Sequence, residues 1–442
     1  MFKKHLLYFT IILIISSCKS NSQGKISEGK ITDEGIFFEY AIYFLDKDSL
    51  NIDVFKENIK RKYPKFKLTG SVPDFNNIVE TQLYIKEIFN VERDFIAPDL
   101  EYLKYAGRGL DEKQKEKLQE SKYVLLFDFT CKEQNLINVM AEANQMILDL
   151  SKENEALIWD SETREVFSNQ FWEENRIFSE NSIDIWKHIT IHMYKNDDYC
   201  RAITLGMLKF GLPEICIENL SCYIDESVES LFNLTAQTLL ENKKIEEEGE
   251  LKLNVNLLKN KKLKDLLIQS SYENAKGKTS INIVKGKWEE GDPQNRIIEI
   301  EFSEENSQIE HNELITTLFG SKDEMSHVTH DEKILEASNK AKLKIPELKE
   351  KFVKGLPVGT HLLLKFPFKY EDDNDEWMWV EVVKWKGNSI EGILQNDPYF
   401  VKSLKAGQKV SKEINLMFDY ILYLPDGTSE GNETGTLIMQ QN

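Results

Sequence analysis

The chain has 442 residues, 41% of them hydrophobic and 30% charged, a globular balance that argues against intrinsic disorder and is large enough for two or three cores. Its net charge of -19 argues against a nucleic-acid binder, which needs a basic face for phosphate, and gives no attraction to anionic lipid.

At the start of the chain, residues 1–5 (MFKKH) carry positive charge, residues 6–15 are apolar, and Ser16, Ser17 and Cys18 follow. That order is the order of an export signal, and the apolar run falls well short of the about 20 residues that span a bilayer. Ile15-Ser16-Ser17-Cys18 resembles the lipobox of bacterial lipoproteins, with Ile15 where leucine is usual. The resemblance implies a signal peptide over residues 1–17 and diacylglycerol on the Cys18 thiol, with further acylation such as palmitate. Since each buried CH₂ adds roughly 0.8 kcal/mol, several acyl chains make a durable membrane anchor. Residues 18–35 then read as a lipidated tether, because residues 19–35 are polar and of linker composition. No other run approaches spanning length, so the expected location is the bacterial cell envelope, outside the cytoplasm and lipid-anchored.

Residues 36–246 read as one α+β domain, a mixed or antiparallel sheet with packed helices. Residues 36–45 (IFFEYAIYFL) and 122–130 are strand-length apolar runs, the second continuous enough to be buried on both faces. A helix follows, since Leu136, Val139, Met140, Ala143, Ile147 and Leu150 recur at three and four. A hairpin at residues 160–163, a strand over 185–194, a Gly- and Pro-punctuated stretch at 206–213 and a strand over 215–220 come next. Asp225 is placed to cap a closing helix with Val228, Leu231, Phe232 and Leu239 on its face. Besides Cys18 there are Cys131, Cys200, Cys216 and Cys222, without CxxC spacing. They read as small buried apolar residues; export permits disulfides, and three pairings of four cysteines are open.

Residues 247–320 repeat the same grammar, with Leu251, Leu253 and Val255 alternating, then Ile298, Ile300 and Phe302, and a loop at residues 291–293. They are either a smaller α+β segment or the far half of the preceding domain. Polar residues 321–330 read as a linker. In residues 331–442, Ile334, Ala337, Ala341 and Ile345 form a helical face that Pro346 must kink or restart. Leu362, Leu364 and Phe366 alternate, a hairpin turns at Gly387-Asn388, and strands follow near 408–413 and 416–424, which suggests a small β-barrel or β-roll.

Glu376 to Val382 (EWMWVEV), Gly387, Glu391 to Pro398 (EGILQNDP), Leu404 to Gly407 (LKAG), Val410, Phe418-Asp419-Tyr420, Gly427, Gly431 and Thr434 occur in an order and spacing that resemble the YegJ-like family, domain of unknown function 2314. The resemblance covers residues 331–436. Gln408 stands where an acidic residue is usual, Tyr420 where tryptophan is usual, and Asn432 interrupts a paired glycine. It implies a fold and no chemistry. The stretch 206–214 (GMLKFGLPE) resembles a region that precedes such domains in longer relatives.

His188 and His192 lie four apart, on one face of a helix or, with Trp186 and Thr190, on one face of a strand; no glutamate beside His188 completes a metalloprotease motif. The acidic run 371–376 lacks an EF-hand's glycine and frame and reads as a solvated turn. No GxSxG, P-loop or dinucleotide fingerprint occurs, so no catalytic residue, metal or cofactor is assigned. Trp377, Trp379, Val383 and Trp385 share strand parity and project from one face, while Met378, Val380 and Val382 project from the other. Trp377, Trp379, Trp385, Asn396 and Asp419 are therefore the candidate binding residues, with Asn396 and Asp419 also placed to hold backbone N-H groups. The leading expectation is a membrane-anchored lipoprotein whose C-terminal module binds a protein or an envelope polymer. The alternative is an envelope hydrolase with a site around His188 and His192.

Overall fold

The computed structural model describes residues 24–73, 78–178, 183–196, 198–222, 226–321, 332–357, 359–371, 374–425 and 427–441. The export segment, Cys18, Asp225 and, apart from Ser321, the linker lie outside them. The described residues form a mixed α+β protein with three sheets of six or seven strands, a two-stranded pair and twelve α-helices. Among them no helix is long and apolar enough to cross a membrane.

The first sheet is built around Gly35–Phe44 and Tyr123–Lys132, paired antiparallel along their full length. Phe38, Tyr40 and Ile42 join Leu125, Phe127 and Phe129 in the main core, while Ala41, Tyr43, Val124 and Leu126 fill a second cluster on the opposite face. Both faces are thus buried, which explains the near-continuous apolar run. Helix Leu136–Glu153 lays its three-and-four stripe over the main face. The hairpin Leu157–Asp160 and Glu165–Phe167 extends the sheet toward Gly107–Arg108.

The second sheet runs Glu250–Asn254, Lys278–Lys285, Ile297–Ile300, Glu214–Leu220, Tyr199–Leu205, Thr190–Asn196. Strands from either side of residue 246 therefore share one sheet. Helix Glu226–Asn242 buries Leu231, Phe232 and Leu239 in the same main core that the first sheet uses. Cys200 and Cys222 form a disulfide, while Cys131 and Cys216 are free and buried.

The tether expected over residues 18–35 ends earlier than its composition suggested. Gly29–Lys30 pairs with Lys244–Ile245, Lys25 bridges to Val284, and Ile31 is buried in the main core. The polar residues around Ile26 and Ile31 masked the two apolar contacts that pin this segment.

The third sheet is antiparallel throughout, in the order Lys409–Glu413, Ser389–Leu394, Asn374–Lys386, His361–Glu371, Asp419–Tyr423, Ser429–Gly431. The expected closed barrel does not form: the outer strands do not pair, and helices Glu332–Leu343 and Ile345–Lys354 contribute Ala341 and Leu348 to the core instead. Pro346 lies in the first turn of the second helix, where its missing N-H costs no helical bond.

The shared parity of the tryptophans also fails, for a local reason. Ladder register shifts between Val382 and Lys384, so Val383 is the extra residue of a bulge. The shift turns Trp385 onto the face of Met378, Val380 and Val382, where it is buried in the core and packs 6.1 Å from Phe352. Trp377 and Trp379 stay half-buried on the other face. Trp385→Ala is therefore expected to cost about 3–5 kcal/mol as a large core cavity. Trp379→Ala should cost less, about 1–2 kcal/mol, as a partly solvated contact. Denaturant titration of the full chain checks the order, which equal or reversed costs would contradict.

Candidate functional site

The hairpin turn at residues 160–165 points Asp160 and Glu165 to one side of the first sheet. Helix Asn169–Arg176 starts on Ser168, whose side chain accepts from Phe171 N at 3.2 Å, and delivers Arg176 to the same place. Lys209 arrives from a one-turn loop of the second sheet, Met207–Phe210, bracketed by Gly206 and Gly211 at φ +109° and +65°. A Cβ on Gly206 would meet His188 O at 2.8 Å, so that loop requires glycine there. Glu214 clamps it, accepting from Thr204 Oγ1 at 2.8 Å, Asn295 Nδ2 at 3.1 Å and the N-H groups of Met207 and Leu208 at 3.3 Å. Burial pushes its carboxyl up to about 7, against the pull of those donors.

These groups make a buried chain of ion pairs. Asp160 Oδ2 lies 2.5 Å from Lys209 Nζ and 2.9 Å from Arg176 Nη1; Arg176 Nη2 lies 3.4 Å from Glu165 Oε2; Glu165 Oε1 lies 2.5 Å from Arg108 Nη2. Burial alone would raise the Asp160 carboxyl, but the two cations outweigh it and hold it below its ordinary value. Burial draws the Lys209 ammonium down against the pull of Asp160. Arg176 also lies against an edge-to-face aromatic pair, 4.6 Å from the Phe167 ring and 5.6 Å from the Trp172 ring.

The outer end of this chain floors a cleft of about 570 Å³ between the two sheets. Arg108, Glu165, Phe167, Phe171 and Arg176 line one side; Trp186, Lys187, Ile189, Thr190 and Ile191 the other; Val228, Glu229 and Asn233 close it from helix Glu226–Asn242. Of these, the sequence pattern singles out Trp186 and Thr190, as companions of the histidines, and Val228, on the closing helix. Arg108, Glu165 and Arg176 carry no periodic signal.

The two histidines are not brought together. Residues Ile185–Lys187 form a 3-10 turn and the strand begins only at Thr190, so the strand expected over 185–194 forms over its second half, with His192 in it and His188 before it. Ile185 and Ile189 bury that turn in the core. His188 is 1% exposed, edge-on to Phe178 and Phe210, and burial holds it well below its ordinary pKa. His192 faces a separate recess of about 120 Å³ with Tyr194 and Asp292. Burial, then Arg164 and Arg108, lower it to about 4.

At the C-terminal end, Trp377 packs against Phe418 with ring centroids 4.3 Å apart and planes tilted by 44°, and Lys365 lies over the Trp379 ring at 5.4 Å. Asn396 Oδ1 accepts from Trp379 N at 2.6 Å. Asp419 accepts from Tyr420 N at 2.8 Å, Thr434 N at 2.9 Å and Thr434 Oγ1 at 2.6 Å. Glu376, from the acidic run, caps the N-H groups of Tyr399, Phe400 and Val401 at 2.6–3.0 Å. None of the five candidate residues lines the cleft.

Residues 331–441 match the family described as an uncharacterized protein conserved in bacteria (DUF2314). No curated protein and no solved structure matches the chain. The three departures within the DUF2314 segment are accommodated locally. Gln408 accepts from Lys405 N at 3.2 Å, holding the turn without a charge; Tyr420 is buried in the core; Asn432 adopts φ +58°, which asparagine tolerates. The DUF2314 segment docks on the second sheet and on helix Ser307–Phe319, through Lys384 with Asp198, Ser221 with Glu381, Lys405 with Glu313 at 2.8 Å, and Lys409 over Tyr199 at 4.7 Å.

A pH dependence follows from His192. An unfolded imidazole titrates near 6.5 and the folded one near 4, so the unfolded state binds more protons between these values and stability falls as pH drops from 6.5 toward 4. His192→Gln removes that contribution, so its urea midpoint relative to wild type should improve between pH 7.5 and 4.5. Midpoints that fall in parallel would contradict the half-buried, neutral imidazole.

Proposed function

We propose that this chain is a lipid-anchored protein of the bacterial cell envelope that binds a ligand in the cleft between its first two sheets. The observation that carries the binding reading is the cleft itself: a concave site of about 570 Å³ with aromatic walls and a few convergent charged groups on its floor. The hydrolase reading rested on His188 and His192 acting together, and they lie in different environments, one sealed in the core and one in another recess. The DUF2314 segment serves as a docked module, its Asn396 and Asp419 engaged with backbone groups.

The anchor is supported by the charged, apolar and small-residue order of residues 1–18 and by the Cys200–Cys222 disulfide, which persists in oxidising compartments. With residues from Lys25 onward packed against the second sheet, the chain between Cys18 and Gly24 reaches at most about 20 Å, which holds the body close to the membrane surface.

Two measurements test these halves separately. Cys18→Ala should abolish labelling by a palmitate analogue and release the exported protein from the membrane fraction; equal labelling would overturn the anchor. A small-molecule extract of the envelope should raise the melting midpoint of the Cys18→Ala chain and leave Thr190→Trp, which fills the cleft, unshifted. Equal shifts in both, or none in either, would overturn the cleft as the binding site.

A further inference from the structure

Charge along the floor of the cleft is unbalanced. The chain Lys209, Asp160, Arg176, Glu165, Arg108 contains three cations and two carboxylates, and its inner end is sealed, with Lys209 and Asp160 both fully buried. The excess positive charge is therefore accessible at the outer end, where the Arg108 side chain is 39% exposed while its partner Glu165 is 6% exposed. Arg176 Nε has no hydrogen-bond partner. Lys187 and Glu229 also line the cleft and offset one another in charge, and the Lys187 ammonium donates to Glu174 O at 3.2 Å.

We propose, building on the binding reading above, that the ligand is a monoanionic carboxylate with a flat or extended apolar body. One surplus charge and one half-open guanidinium match a carboxylate, which Arg108 can engage on its Nη1 side, since Glu165 Oε1 takes Nε and Nη2, whereas a phosphate dianion would need further cations. Phe171, Trp186 and Ile189 supply the apolar walls for the body. The ion-pair chain serves this role by fixing the guanidinium before the ligand arrives, since Glu165 holds Arg108 while Asp160 holds Arg176.

The test uses the purified Cys18→Ala chain and follows tryptophan emission, assigned with Trp186→Phe, during titration with 3-phenylpropanoate, 3-phenylpropan-1-ol and 3-phenylpropylamine at constant ionic strength. Octanoate serves as the extended-chain arm. The acids are expected to bind at least about ten-fold tighter than the alcohol, as for a charge-assisted pair, and the amine not at all. Arg108→Gln should cost the acid about ten-fold and leave the alcohol unchanged, with the urea midpoint confirming that the fold survives. Equal affinities for acid and alcohol, or an acid affinity indifferent to Arg108→Gln, would overturn the proposal. If none of these probes binds while the envelope extract still shifts the wild-type cleft, the carboxylate assignment fails and the cleft reading stands. If the extract has no effect either, both fail.

Discussion

Asp160 is a carboxylate without access to water, held as an anion chiefly by Lys209 and Arg176, which reach it from two other parts of the chain, with the N-H groups of Glu162 and Thr163 donating to its other oxygen. Placing three charges in the interior carries a desolvation penalty of several kcal/mol per ion, which the contacts at 2.5 and 2.9 Å must offset. The arrangement is correspondingly intolerant of displacement. It joins the hairpin of the first sheet, the helix Asn169–Arg176 and the glycine-bracketed loop of the second sheet, and so sets how the two sheets face one another. The cleft lies at the open end of that junction.

The DUF2314 segment has a core of its own, made from both helices and the open third sheet, and meets the rest of the chain through polar contacts. Three of those contacts fall on residues 198–221, beside the Cys200–Cys222 disulfide, and the fourth falls on Glu313 of helix Ser307–Phe319. The covalent tie thus lies within the docking surface. The cleft opens instead against Thr190–Met193 and helix Glu226–Asn242.

The elements that depend on local pattern were legible in the sequence. The stripe from Leu136 to Leu150, the two-sided strand at 123–132, the hairpin at Gly387-Asn388 and the restart at Pro346 each follow from spacing or backbone chemistry within a few residues. The site was not legible, because it is made of distant partners: Lys209 and Asp160 are 49 residues apart, and Arg108 and Glu165 are 57 apart. Its one local trace was Lys209 set among Gly206, Gly211 and Glu214. The tryptophan face failed at a single inserted residue, Val383, since period-two reasoning cannot see a bulge. Residues 24–34 misled through composition, two isoleucines among polar neighbours being enough to dock the segment.

That the ionic junction organises the two sheets is tested most directly by a double-mutant cycle on Asp160 and Lys209, followed by urea denaturation of the full chain. Asp160→Asn alone should cost on the order of 3–5 kcal/mol, because it strands the buried Lys209 ammonium and leaves Arg176 only the longer contact to Glu165. Adding Lys209→Met to that variant should cost less than Lys209→Met costs in the wild type, with a coupling of at least about 1.5 kcal/mol. Costs that simply add, to within about 0.5 kcal/mol, would show that the two side chains do not act as a unit and that the sheets are held by their apolar core alone.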